Sequence, residues 1–273
     1  MLNCKGQHLE AANYAYASLR QAIFESAFLH EANFSRATLI DANFKQAQLS
    51  EANFSGACLI NPDFSAAILD GAHLQEADCL NAVFKGASLV GADLSGAKLF
   101  NAILTGVDLS NANLNEVDLT GATLFNATLN GTSLKGANLC GADLEGAHLQ
   151  NVNLHQANLS RMDMGHEGYL MAPQGHSSSI RDTDLSEANL EGAHFESVDL
   201  QGDDFHGSNL KHAFFQGANL NQSHLEQVNA RDTSFEGTDL CSAMMEGAYY
   251  DTHTRFPPRF DPVKGRMIDA GSS

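Results

Sequence analysis

From residue 9 to residue 164 a large apolar side chain falls on every fifth position, and the position two before it is nearly always alanine. Ala32, Asn33, Phe34 and Ala142, Asp143, Leu144 show the pattern. The beat resumes at Leu185 and runs to Tyr250. In extended backbone successive side chains point to opposite sides. Ala92 and Leu94 therefore share one side and Asp93 faces the other. Five is odd, so a straight strand would throw the next centre, Leu99, to the wrong side. Every centre is apolar and needs burial, so the chain must turn a corner once per repeat. Helical spacing does not fit over this length. The pattern predicts short extended pieces joined by corners and coiled around an apolar interior.

The identity of the centres sets the size of the coil. Phe24, Phe44, Phe64 and Phe84 recur every twenty residues, as do Phe195, Phe215 and Phe235, and Leu9, Leu29, Leu49 and Leu69 begin a leucine series at the same step. Twenty residues per circuit means four pentapeptides, a four-sided coil in which like stacks on like. The 32 centres of the first block and 14 of the second make 46. At four per circuit and a strand spacing of about 4.8 Å, they predict roughly 11 to 12 coils and a rod of about 55 Å. The inward alanines fit a narrow axis. Glycine clusters two after the centre, as at Gly86, Gly106 and Gly131, where a corner can require positive φ.

The repeat Ala-(Asp/Asn)-(Leu/Phe)-x-x resembles that of the pentapeptide-repeat proteins over about residues 9–164 and 181–250. The resemblance implies a right-handed, four-sided (quadrilateral) all-β solenoid, the handedness coming from the family alone. The tail, with Tyr250, Asp251, Thr254, Arg255, Phe256, Pro257, Phe260, Asp261 and Pro262, is similar to tails on such proteins in photosynthetic bacteria and implies a bacterial origin.

The departures from the beat divide the chain. Residues 1–8 lie outside it and are expected to cap the first turn. Residues 165–180 break it and shift its phase by one residue, which predicts a loop protruding from the rod. Residues 181–250 form the second block. Residues 251–273 hold three of the five prolines and are expected to be a C-terminal cap and flexible tail, with 263–273 loosely held. Within the repeats Pro62 replaces an inward alanine, tolerable at a corner that lacks a ladder N–H. Thr132 and Asp203 are polar where alanine is usual, and Asp203 is expected to turn outward at a local irregularity, the alternative being a buried carboxylate with a raised pKa. Cys79 should be a buried, inert thiol in leucine's place. Ala230 is an undersized centre, implying a local void or an inward bulge.

Charge adds one asymmetry. The net charge is −18, which argues against a grip on nucleic-acid phosphates and against an anionic membrane surface. No apolar run is long enough to span a bilayer. Residues 182–251 carry fourteen acids and two bases, or −12, while residues 1–181 carry −8 and the tail +2. Such a field attracts basic partners, or simply keeps an edge-rich rod soluble. Five cysteines without a framework spacing suggest a reduced, cytoplasmic chain. The twelve histidines show no metal-ligand spacing.

No nucleophile motif, phosphate loop or paired carboxylates occur, so no catalytic, cofactor or metal residues are expected. The sequence reads as a non-catalytic scaffold that binds an unidentified protein. The candidate interaction residues are Tyr169, Leu170 and Met171 in the loop, and Asp184, Glu187, Glu191, Glu196, Asp199 and Asp204 on the acidic block. The resemblance supplies an alternative, because some pentapeptide-repeat proteins bind DNA gyrase as DNA mimics and either inhibit it or protect it from quinolones.

Overall fold

The computed structural model describes residues 2–164 and 183–271, together with the backbone of 179–181. The described residues form no helix; the fold is an all-β solenoid whose coils pair in parallel. Asn3 pairs with Ile23, His8 with Phe28, Asn13 with Asn33 and Ser18 with Thr38. These pairs found four ladders, numbered first to fourth in that order, each of which climbs by twenty residues per rung through the first block. On each rung the centre donates forward and its outward neighbour donates back. Phe24 N–H reaches the Asn43 carbonyl at 2.7 Å, and Asn43 N–H reaches the Ala22 carbonyl at 2.9 Å. Parallel pairing of this kind leaves few main-chain groups unsatisfied between neighbouring coils.

The corners are equally regular. Ala27 N–H closes one onto the Phe24 carbonyl at 3.0 Å, while Ser26, at φ 53°, sends its N–H to the next coil at Lys45. A left-handed third residue is the mark of a type II turn. It explains the glycines two after the centre, of which Gly131 at φ 69° is one. Many corners use Asn, Gln or Glu in the same conformation, as at Asn111 and Glu116.

Inside, Phe24, Phe44, Phe64 and Phe84 stack on the first ladder with centroids 4.9 to 5.0 Å apart. Phe34 and Phe54 stack at 4.9 Å on the third. The two columns meet edge to face, Phe24 to Phe34 at 5.4 Å and Phe44 to Phe54 at 5.6 Å. Offset-stacked and T-shaped pairs are the favoured geometries of aromatic rings, so the twenty-residue phenylalanine spacing yields both at once.

Several expectations need correction. The coil begins at residue 3, not 9: Cys4 is itself a centre, 5% exposed, and its N–H donates to Ile23. Residues 3–8 are thus the first rungs and not a separate cap. The second block also starts earlier than expected. Strand β1 (His148–Gln150) pairs with β2 (Ser179–Arg181), and Ile180 lies opposite Leu149 in the register. Cys4 and Ile180 both lack an alanine two before them, which is why the beat hides them. The tail is not loose either. Arg255 continues the first ladder, and β3 (Tyr249–Tyr250) pairs with β4 (Ile268–Asp269) on the fourth, with Met267 buried beside it.

One side chain also differs from expectation. Asp203 points inward and is fully buried; one carboxylate oxygen accepts the Thr183 N–H at 2.9 Å. The inward column of the third ladder turns polar there, with Thr132, Thr183 and Ser223 each bonding a main-chain carbonyl. Pro62 stands, as expected, where no ladder N–H is needed: only a corner bond is lost, and Val83 N–H still donates to the Pro62 carbonyl at 3.0 Å. Cys79 is fully buried, and burial pushes its thiol well above the usual range.

Candidate functional site

The outward positions of the rod carry its variable chemistry. Most centres and the residues two before them are buried, while most bridge residues and corners between them face solvent or are half-buried. Any site on the walls must therefore be assembled from residues one rung apart on a ladder or side by side at a corner.

The ladders pass the interruption without losing register. Asn153 pairs with Asp184, Asn158 with Asn189 and Asp163 with His194, each 31 residues apart instead of 20, so 31 − 20 = 11 residues are added in this circuit. They fall between the first and second ladders. On the fourth ladder Asn158, Asn189, Asn209 and Asn229 donate in turn from Nδ2 to the Oδ1 of the asparagine below, at 2.9 to 3.1 Å. The lowest of them bonds to Asn138. Asn158, Asn189 and Asn209 each use the amide donor upstream and the carbonyl downstream, so the column is a continuous chain of side-chain bonds that ends at Asn229.

The six acidic candidates do not share one face. Asp184 and Asp204 are successive rungs of the third ladder, with Glu187 at the corner leading to the fourth. Asp199 lies on the second ladder, opposite Asn219. Glu191 follows the fourth-ladder centre Leu190, and Glu196 follows the first-ladder centre Phe195. The cluster brought together is therefore Asp184, Asp204 and Glu187, and the rest ring the rod. Tyr169, Leu170 and Met171 lie outside the described residues.

Local bonds hold these acids. Asp184 Oδ1 accepts the Ser186 N–H and hydroxyl at 3.0 and 2.6 Å, and Asp204 Oδ1 accepts the His206 N–H at 2.9 Å. Many carboxylates have a histidine or arginine beside them: Glu196 has His194 at 3.0 Å, Asp232 has His212 at 2.9 Å and Glu246 has Arg266 at 3.3 Å. Sequence reasoning missed these partners, because they sit two or twenty residues away and only the rung register shows the second spacing. Among the described residues no three His, Cys, Asp or Glu side chains gather as metal ligands, and no helix is long and apolar enough to cross a membrane.

Comparison with known proteins places this geometry. Among solved structures, the chain is similar to HetL, a pentapeptide repeat protein involved in heterocyst differentiation regulation from the cyanobacterium Nostoc sp. strain PCC 7120. Identity is 33% over 77% of this chain and 89% of that one, with a TM-score of 0.59. It also aligns with a pentapeptide repeat protein of the Arabidopsis thaliana thylakoid lumen, at 28% identity over 45% of this chain and 72% of that one, TM-score 0.31. A trypsin-treated form of QnrB1, a plasmid-mediated fluoroquinolone resistance protein, aligns at 18% identity over 69% of this chain and 93% of that one, TM-score 0.35. A search of curated protein sequences found no match. The family model for pentapeptide repeats matches eight times, at residues 3–39, 29–65, 63–101, 93–131, 102–139, 129–165, 178–217 and 218–249, and the chain belongs to the pentapeptide-repeat family.

Proposed function

We propose that this protein is a non-catalytic scaffold: a right-handed, four-sided β-helix of about 11 to 12 coils that presents its outer walls to a protein partner. One observation carries the reading. The hydrogen-bonded frame stays in register through eleven added residues, so outward side chains and insertions vary without disturbing the frame beneath. Such a frame suits recognition, in which surface residues change while the support stays fixed. The likeness to HetL, which takes part in regulation of differentiation, supports a regulatory partner-binding role. The acidic second block favours a partner with a basic face, met first at Asp184, Asp204 and Glu187.

The reading is tested by affinity capture from native bacterial lysate with the intact protein and with the triple variant Asp184→Asn, Asp204→Asn, Glu187→Gln. A partner retained by the first and lost from the second supports it. Turnover of a small-molecule substrate by the purified protein, abolished by a surface substitution, contradicts it. The DNA-mimic alternative draws on the family resemblance, the acid excess and the mid-rod interruption, but the acids ring the rod instead of lining one strip. A gyrase supercoiling assay with and without a quinolone separates the two: an effect at stoichiometric protein favours the mimic.

A further inference from the structure

One end of the rod is incomplete. On the second ladder the rung at Leu200 is paired upward: Leu200 N–H donates to the Asn219 carbonyl at 2.9 Å and Gly202 N–H to the Asn221 carbonyl at 3.1 Å, while Asn219 N–H returns to Val198 at 3.0 Å. One rung higher Asn219 pairs with Asp239, and Gln222 N–H donates to the Ser242 hydroxyl oxygen at 3.0 Å. The equivalent groups of the last rung are Leu240 N–H, Ser242 N–H and the Thr238 carbonyl, and none has a main-chain partner among the described residues. The chain does not lay a further rung there. It leaves the first ladder at Arg255, crosses the end of the rod, and rejoins on the fourth ladder at Ile268.

The crossing segment has its own bonds and does not use this edge. Phe256 stacks on Phe235 below it and on Phe260 beside it. Phe260 N–H closes onto Pro257 at 3.0 Å and Met267 N–H onto Pro262 at 3.0 Å. Between the segment and the bare edge lies a cleft of about 630 Å³, bounded on one side by Leu240 and Ala243 and on the other by Pro257, Pro258 and Phe260. This volume is typical of a ligand site.

We infer that this cleft is a docking slot for an extended peptide from another protein, which adds one strand to the second ladder. The edge offers two donors and an acceptor with the spacing that a strand requires, which specifies main chain over a compact small molecule. The apolar walls take an alanine- or leucine-like side chain turned inward. Outward, the peptide residue over Asp239 is best an amide or a base, as Asn219 donates to Asp199 at 2.8 Å two rungs below. Arg259, on the rim, forms no ion pair among the described residues and faces an incoming carboxylate. The slot goes beyond the scaffold reading and stands whether or not the acidic walls bind a partner.

The test uses the full chain and a fluorescent synthetic peptide with the sequence of residues 216–223, which is the rung that sits directly below the open edge. Saturable micromolar binding is expected, with amide exchange at Leu240 slowed at least tenfold. The same peptide N-methylated at its first asparagine loses the donor to the Thr238 carbonyl and should bind at least tenfold more weakly, a comparison that does not depend on any variant folding. Ala243→Phe, which fills the cleft, should abolish binding while the melting curve is retained. No saturable binding up to millimolar peptide, or equal affinity for the N-methylated peptide, overturns the proposal.

Discussion

Asn189 donates from Nδ2 to the Oδ1 of Asn158 at 3.1 Å across 31 residues of chain, while the bonds above and below it in the same column span twenty. The column treats the interruption as if it were absent. Asn189 is also an acceptor for Asn209 and for the Glu191 N–H, so Asn189→Ala removes three bonds, two of them half-buried. At about 1 kcal/mol net for a typical bond and partial replacement by water, the loss should be about 1–2 kcal/mol. Urea unfolding monitored by circular dichroism measures it, and a change below about 0.3 kcal/mol would show that the column is ornamental.

The phenylalanine columns should dominate local stability. Phe44 stacks between Phe24 and Phe64 and meets Phe34 and Phe54 edge on. Phe44→Ala should cost about 3–5 kcal/mol, and Phe44→Leu clearly less, because leucine is the native centre at the same wall higher up, as in Leu104. Equal losses for the two variants would mean that ring geometry, not filled volume, decides.

Glycine is required at some corners more than at others. At Gly131 an added Cβ would lie 2.5 Å from Asn111 Oδ1, whereas at Gly106 nothing stands within 4 Å. Both have positive φ, so Gly106→Ala should cost about 1 kcal/mol for the left-handed conformation alone. Gly131→Ala must also displace the asparagine. Thermal melts of the pair should rank Gly131→Ala as the less stable.

Acid stability should turn on a few aspartates. Burial acts to raise Asp63, but the Ser65 hydroxyl and N–H and the Lys45 ammonium outweigh it and hold the carboxyl below its ordinary value. Asp251 is also raised by burial and then lowered further by the N–H groups of Asp232, His253 and Thr254 and the Thr254 hydroxyl. A carboxyl depressed in the folded state stabilises above its unfolded value, about 3.9, and that contribution is lost as pH falls through the folded value. Melting temperature should therefore drop below about pH 4. Asp63→Asn with Asp251→Asn should flatten the drop; an unchanged profile would place the acid sensitivity elsewhere.

The frame was largely legible from sequence because one residue type occupies one environment. Phenylalanine at twenty-residue steps could only be a column, and alanine two before each centre could only be an inward wall. Where that pairing failed, so did the reading: Cys4 and Ile180 stand at register positions preceded by Leu2 and Ser178 instead of alanine, and both rungs went unseen. Asp203 was misjudged because a lone inward carboxylate is costly, and the sequence does not show the Thr183 N–H that meets it. The surface was less legible. Fourteen acids in a block suggested a face, but five-residue corners distribute consecutive acids over successive walls, so nearness in sequence does not make a patch. The open edge at Leu240 was invisible because it depends on where the tail crosses.

The claim that the rod keeps its rung register independently of what is inserted is tested most directly by two deletions. Removing residues 166–176 takes out the eleven added residues and restores the twenty-residue circuit; removing 166–175 leaves one too many. A one-residue slip sends inward side chains outward. The account predicts that the eleven-residue deletion melts within about 3 °C of the parent and the ten-residue deletion more than about 10 °C below it, a difference of several kcal/mol for a chain of this size. Equal melting temperatures for the two deletions, or unfolding of the eleven-residue deletion, would contradict it.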